Sequence, residues 1–298
     1  MKHLLSIEQL TRTDMEKILA DAAVMKRERG RHAAMPLSGQ TWALIFSKSS
    51  TRTRVSFEVG IAELGGRPMF LSAVDIQLGR GEPVKDTARV LGRMVHGAIF
   101  RTFAQRDVEE FANYSGIPTI NALTDEEHPC QILADVLTIE EKFGPMAGKV
   151  VAFIGDGACN VANSWIFAAA KLGFELRIAA PEEFQPAPAL LKRAGGSVVC
   201  TADLESASRG ADVLYTDVWV SMGKEDESAE RLKALAGYQI NQSVVKLAKP
   251  GALVMHCLPA YRGKEIDDET FEAHADTIFT QAENRLHAQK AILQWAVL

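Results

Sequence analysis

The apolar positions of this chain come in short runs separated by amphipathic stretches. Runs near 41–46, 68–72, 97–101 and 117–120 are long enough for buried strands and too short for buried helices. Between them apolar residues recur every three or four positions, which predicts helices near 52–64, 84–95, 107–114 and 129–142. A helix is predicted earlier, over 6–29, where Met15, Ile18, Leu19, Ala22 and Ala23 form one stripe and both Ser6/Gln9 and Thr13/Glu16 have capping-box spacing. Pro83 and Pro129 each suit the first position of a helix. Gly144-Pro145-Met146-Ala147-Gly148 interrupts the pattern, which then restarts. Strands are predicted near 150–154, 175–179, 197–200, 212–216 and 252–255, and helices near 160–172, 187–194, 203–209, 226–235, 241–248 and 281–296. Strands alternating with helices imply parallel βαβ units, so the fold class is α/β with two doubly wound parallel-sheet domains.

Composition narrows the function classes. A formal charge of -5 argues against a general nucleic-acid or membrane-surface role, which needs a basic face. No apolar run approaches the roughly 20 residues of a membrane span. Glu8, Arg12 and Asp14 come too early for a signal-peptide core, and a cytoplasmic protein is expected. Cys130, Cys159, Cys200 and Cys257 are scattered without a C-x-x-C spacing, so neither a zinc site nor a disulfide framework is indicated.

In doubly wound folds ligands sit at the carboxyl ends of the strands, so candidate chemistry is sought in the turns that follow them. After the first strand comes Ser49-Ser50-Thr51-Arg52-Thr53-Arg54, at the start of a predicted helix. A helix N-terminus offers unpaired N–H groups and the positive end of the dipole, and hydroxyls and a planar guanidinium suit phosphate. A plain N-cap followed by solvated arginines is the competing reading; two arginines within three residues after a buried strand favour an anion. Arg101 ends the third strand. His128 and Gln131 stand one turn apart at another helix start, placed to aim two neutral donors at one carbonyl or amide.

Gly155-Asp156-Gly157 follows the first strand of the second half. It has two glycines of a dinucleotide fingerprint but carries Asn160 at the third position, which weakens the nicotinamide reading. Asn160 is instead a candidate for bonding a polar substrate. Asp217 ends an apolar strand, where a carboxylate can meet an amine, and Ser221-Met222-Gly223 reads as a turn. Cys257, ahead of Leu258-Pro259, lies where backbone carbonyls can face a ligand; a buried small hydrophobe is the plain alternative.

Taken together these residues resemble one family. Ser50-Thr51-Arg52-Thr53-Arg54, His128-Pro129-Cys130-Gln131 and His256-Cys257-Leu258-Pro259 look like the three carbamoyltransferase signatures, and Asp217-Val218-Trp219-Val220-Ser221-Met222-Gly223 looks like the loop of the ornithine branch. Gln77-Leu78-Gly79-Arg80-Gly81-Glu82 and Glu283-Asn284-Arg285-Leu286-His287 extend the likeness, which runs from about Leu4 to the C-terminal helix. The resemblance implies transfer of a carbamoyl group from carbamoyl phosphate to the side-chain amine of L-ornithine, with no cofactor, metal or covalent intermediate. It implies that Ser50, Thr51, Arg52, Thr53, Arg101, His128, Pro129, Cys130, Gln131, Cys257, Leu258 and Arg285 bind carbamoyl phosphate. Gln77 would join them across a subunit boundary. Asn160, Asp217, Ser221 and Met222 would bind ornithine, and Arg52, Arg101, His128, Asp217 and Cys257 would be catalytic. It further implies a homotrimer, a carbamoyl phosphate domain over 1–143, an ornithine domain over 144–280, interdomain helices, and a helix over 281–298 that packs back on the first domain. Lys48-Ser49, where Lys-Pro is frequent, and Tyr261, where histidine is common, depart from the pattern without touching a named role.

Three other readings remain open on the sequence: a sister carbamoyltransferase acting on putrescine or another amine, a nicotinamide-dependent oxidoreductase resting on Gly155 and Gly157, and a non-catalytic paralogue.

Overall fold

The computed structural model describes all residues except 74 and 221–227. The residues Ser221, Met222 and Gly223 therefore lie outside the described part of the chain. Contacts divide the rest into two compact units: Met1–Leu137 with Asn284–Leu298, and Thr138–Glu283.

The first unit opens with α1 (Arg12–Arg27), followed by β1 (Thr41–Phe46), α2 (Thr51–Glu63), β2 (Arg67–Ser72), a short 3-10 turn (Gln77–Arg80), α3 (Val84–Leu91), β3 (Gly97–Arg101), α4 (Gln105–Ser115) and β4 (Thr119–Leu123). α5 (Pro129–Phe143) carries the chain into the second unit. The four strands are parallel, in the order β2-β1-β3-β4. The chain leaves β1 toward β2 on one side and later returns to β3 on the other, so the topology switches between β1 and β3. β1 and β3 are buried along almost their whole length, as expected for parallel strands covered by helices on both faces. On one face Ala43, Ile45, Ala98 and Phe100 pack with Ala88 of α3 and Val108, Phe111 and Ala112 of α4.

The second unit contains β5 (Val150–Ile154), α6 (Asn160–Leu172), β6 (Glu175–Ala179), a 3-10 turn (Glu182–Phe184), α7 (Pro188–Ala194), β7 (Val198–Thr201), α8 (Leu204–Ser208) and β8 (Val213–Thr216). It continues through α9 (Ser228–Leu235), α10 (Gln242–Val245), β9 (Leu253–His256) and α11 (Asp268–Ala273). Its strands run parallel in the order β7-β6-β5-β8-β9, with the switch between β5 and β8. α12 (Ala275–Val297) starts in this unit, and from Asn284 onward belongs to the first. There it ties to α1: Lys26 Nζ donates to Asn284 Oδ1 at 2.9 Å and the Trp295 indole N–H to Asp14 Oδ1 at 3.0 Å. Among the described residues no helix is long and apolar enough to cross a membrane.

The element order follows the pattern of apolar runs, and the departures have local causes. α1 begins at Arg12 rather than near residue 6, because Thr11 and Asp14 form the capping box, each side chain engaging the other's backbone N–H. Ser6 caps only a turn, through Gln9 N–H at 3.2 Å. α3 ends at Leu91, where Gly92 serves as the C-cap. Pro83 is the N-cap residue of α3, not its first member, whereas Pro129 does open α5. β4 starts two residues later than expected and extends to Leu123, past a register shift opposite Phe100 and Arg101. α11 and both 3-10 turns carry too few residues to show a period. α12 begins six residues before the predicted start.

Gly97 marks a tight point of the first sheet. A Cβ there would sit 2.5 Å from the Trp42 ring, which is fully buried. Gly97→Ala is expected to lower stability by about 1–3 kcal/mol through overpacking, read as a lower urea midpoint at unchanged slope. An unchanged midpoint would contradict that packing.

Candidate active site

In the first unit the residues singled out from the sequence gather at its switch point. β1 and β3 pair in parallel with Phe46 opposite Arg101, so the turn leaving β1 and the end of β3 are neighbours. Ser50 is the N-cap of α2; its hydroxyl accepts from Thr53 N–H at 3.3 Å, which directs the first turn of the helix. Thr51 is exposed, Arg52 half-buried and Thr53 buried. Arg101 is buried at the strand end.

Arg285 of α12 is buried too, and polar oxygens receive its charge. It donates to Thr53 Oγ1 at 3.1 Å and to Gln131 Oε1 at 2.5 Å, while the Gln131 amide donates to Asp135 Oδ1 at 2.7 Å. The Gln289 amide satisfies its neighbours in one orientation, accepting from Arg285 at 2.9 and 3.3 Å and donating to Ser56 Oγ at 2.5 Å.

His128, just ahead of α5, is buried; burial, then the charges of Arg285 and Arg101, push its pKa well below the usual 6.5. A neutral imidazole beside two guanidiniums can bond an uncharged acceptor without titrating near pH 7. Pro129 opens α5 and adds no N–H. The Cys130 thiol is pushed up to about 12, chiefly by burial, and donates to the Asn121 carbonyl at 3.3 Å, so it is a packed group and not a nucleophile. Gln77 is exposed at the head of its 3-10 turn, and among the described residues its side chain hydrogen-bonds none of the others named here.

The second unit has its own cluster at its own switch. β8 and β9 pair in parallel with Thr216 opposite His256, so the next residues, Asp217 and Cys257, leave adjacent strands side by side. The Cys257 thiol donates to Asp217 Oδ1 at 2.8 Å, and the same oxygen accepts from Val218 N–H at 2.7 Å. Burial raises the Asp217 pKa, against the opposing pull of His256 and the Cys257 hydrogen bond. His256 fixes the neighbouring backbone. Its Nδ1 accepts from Leu258 N–H at 2.9 Å, so its Nε2 carries the proton and donates to Glu265 Oε1 at 3.1 Å. The Leu258 φ of 60° is rare for a branched residue, and this bond helps to hold it. Asn160 is the first residue of α6, following the Gly155–Asn160 turn of β5, on the other side of the switch from Asp217.

Asp217, His256 and Cys257 present potential metal-binding atoms within 4.8 Å of one another. Both imidazole nitrogens are already engaged, by Leu258 N–H and Glu265, while the Cys257 thiol is bonded to Asp217. The two glycines that suggested a dinucleotide have packing roles: Gly155 has a φ of 127°, and a Cβ on Gly157 would meet Ile178 Cγ2 at 2.6 Å.

Two family models match the chain. The aspartate/ornithine carbamoyltransferase carbamoyl-P binding domain covers residues 2–141, and the Asp/Orn binding domain of the same family covers 147–296. The chain belongs to the aspartate/ornithine carbamoyltransferase family. An ornithine carbamoyltransferase of Akkermansia muciniphila is 60% identical over 98% of this chain and 97% of its own length. One from Methanoculleus marisnigri is 49% identical over 98% and 96%. Among solved structures, anabolic ornithine carbamoyltransferase from Campylobacter jejuni superposes with a TM-score of 0.94 at 42% identity, covering 99% of both chains. The enzyme from Pyrococcus furiosus gives 0.92 at 45%, covering 98% of this chain and 96% of that one.

Several residues of this family member's clusters carry no sequence signal. Glu265 lies nine positions beyond His256, and Gln289 looks like any polar helix residue. Asp156 and Arg231 form a buried ion pair, and Arg231 Nε also donates to the Trp219 carbonyl at 2.9 Å. Only a fold shows that residues 75 positions apart meet.

Arg231→Met leaves Asp156 buried without its cation and is expected to cost about 3–5 kcal/mol in chemical denaturation. Adding Asp156→Asn should recover much of that loss. His128 binds protons less readily folded than unfolded, so its contribution to stability is present above pH 6.5 and is lost as pH falls from there toward the depressed folded value. His128→Gln should therefore flatten the fall in stability below pH 6.5, measured by thermal melting across pH; an unchanged slope would mean that this imidazole is not held neutral.

Proposed function

We propose that the protein transfers the carbamoyl group of carbamoyl phosphate to the side-chain amine of L-ornithine, giving L-citrulline and phosphate. One observation carries the choice of acceptor: a half-buried carboxylate, Asp217, whose pKa its surroundings raise and which the Cys257 thiol holds at the end of β8. A carboxylate there suits an amine and repels a second carboxylate.

The segment 1–143 takes carbamoyl phosphate in this reading, and 144–280 takes ornithine. The hydroxyls of Ser50, Thr51 and Thr53, the N-terminal N–H groups of α2 and the Arg52 guanidinium hold the phosphate, with Arg101 and Arg285. Neutral His128 and Gln131 bond the carbamoyl group, and the Cys257 and Leu258 backbone contributes carbonyls. Gln77 completes the site from a neighbouring subunit of a homotrimer. Asn160, Asp217, Ser221 and Met222 bind ornithine. In this reading the reaction serves arginine biosynthesis or catabolism, in the cytoplasm.

The amine attacks as a neutral nitrogen; its lone pair forms the C–N bond, the carbonyl oxygen gains charge, and His128, Arg101 and Thr53 stabilise that charge. The C–O bond to phosphate then breaks, its electron pair leaving with the phosphate, while the nitrogen gives up its proton to a base. Asp217 and Cys257 orient that nitrogen. Holding both reactants contributes up to about 7–11 kcal/mol of the barrier reduction. No step passes through an acyl- or phospho-enzyme.

Arg52→Gly should abolish citrulline formation while leaving the circular dichroism spectrum intact. Near-normal turnover in that variant would overturn the phosphate assignment. Ornithine, putrescine, lysine, N-acetylornithine and aspartate, assayed in parallel with carbamoyl phosphate, separate the acceptors: ureido product from ornithine is expected, and product from a different amine alone would overturn the ornithine half.

A further inference from the structure

We propose that Lys290 and Glu63 are positioning residues that set the register of α12 on α2 and thereby place Arg285 for the phosphate-bearing substrate. The inference rests on the reading of the first unit as the carbamoyl phosphate half.

The two helices meet along a ladder of contacts within one unit. Arg285 donates to Thr53 at the start of α2, and Gln289 bonds Ser56 one turn on. Gly60 lets α12 come close: a Cβ there would lie 3.1 Å from Lys290 Cγ and 3.5 Å from Leu286 Cδ1. Lys290 Nζ then donates to Glu63 Oε2 at 2.6 Å at the far end of α2. Ten residues of α2 separate Thr53 from Glu63, about 15 Å of rise, whereas five residues of α12 separate Arg285 from Lys290, about 7.5 Å. The two long side chains therefore splay in opposite directions from the contact at Gly60. Sliding α12 one way stretches one bond and compresses the other, so the pair defines a single register.

Lys290 is fully buried and its charge is not idle. Its Nζ also donates to His32 Nε2 at 2.9 Å, and Glu63 takes a second cation, Arg29, at 3.1 Å. Burial, with the nearby charge of Arg29, lowers the Lys290 pKa against the opposing pull of Glu63; burial pulls Glu63 upward, but Lys290 and Arg29 outweigh it and leave it below its ordinary value. A methionine of similar length would fill the same space, so the ion pair buys position and not merely packing. Neither Lys290 nor Glu63 is among the groups assigned to substrate.

The test compares wild-type protein with Lys290→Met, Glu63→Gln and Gly60→Ala. The last keeps every charge and crowds Lys290 Cγ, so that the Lys290 side chain must shift from its place against α2. Steady-state kinetics with both substrates, thermal melting, and calorimetry with inorganic phosphate are the readouts. The expected result is a KM for carbamoyl phosphate raised about fivefold or more in all three, weaker phosphate binding in parallel, and a KM for ornithine within about twofold of wild type. A lowered melting temperature with both KM values unchanged would make the pair a strut and overturn the proposal. So would equal increases in both KM values. Should Lys290→Met not fold, Glu63→Gln and Gly60→Ala decide the matter by the same criteria. Wild-type turnover is measured first: its absence refutes the carbamoyl-transfer reading itself, whereas a flat variant series with an active wild type refutes only the role of Lys290 and Glu63.

Discussion

A buried guanidinium must be surrounded by oxygen, and that requirement organises the first unit. Arg285 reaches its place on a helix far along the chain from the strands it serves, and Thr53, Gln131 and Gln289 supply the acceptors. An unpaired cation in such surroundings would cost several kcal/mol. Meeting that need draws the N-termini of α2 and α5 and the flank of α12 to one point. Burial first, and then this same positive charge, lower the pKa of His128, so the guanidinium that shapes the packing also bears on the charge of a neighbouring imidazole.

The second unit solves a related problem with opposite sign. A carboxylate at the end of β8 is half-buried, and desolvation raises its proton affinity. The register of a parallel strand pair supplies its partner, because Asp217 and Cys257 are successors of paired residues about 4.8 Å apart across the sheet. Nothing beyond strand order is needed to bring them together. His256, one residue back, is turned toward Glu265 and locks the unusual backbone of Leu258, so one short strand end contributes both a thiol and a shaped main chain.

Much of this was legible in the sequence, and for a physical reason. Parallel strands buried on both faces must be apolar along their length, so Trp42-Ala43-Leu44-Ile45-Phe46 and Val150-Val151-Ala152-Phe153-Ile154 stand out without any template. Ligand chemistry in such folds follows the strands, which made Arg101, Asp217 and Cys257 visible as polar residues ending apolar runs. Helix boundaries were less visible: the true cap at Thr11 competes with two equally good spacings, and only packing selects among them. Long-range polar partners were invisible, since no spacing links Asp156 to Arg231, Glu63 to Lys290 or Thr53 to Arg285. The paired glycines after β5 resemble part of a dinucleotide fingerprint because close packing and phosphate binding ask for the same residue.

The division of the chain has a consequence for synthesis. The first unit needs Asn284–Leu298, so the ribosome makes the entire second unit between the two portions of the first. At about 5–20 residues per second that interval is on the order of ten seconds. Throughout it the pocket around Thr53 and Gln131 lacks its guanidinium, and the groove beside α2 that Leu286 and Lys290 later fill stays open. The nascent chain thus passes through a stage with the second unit fully synthesised and the first still waiting for its last helix.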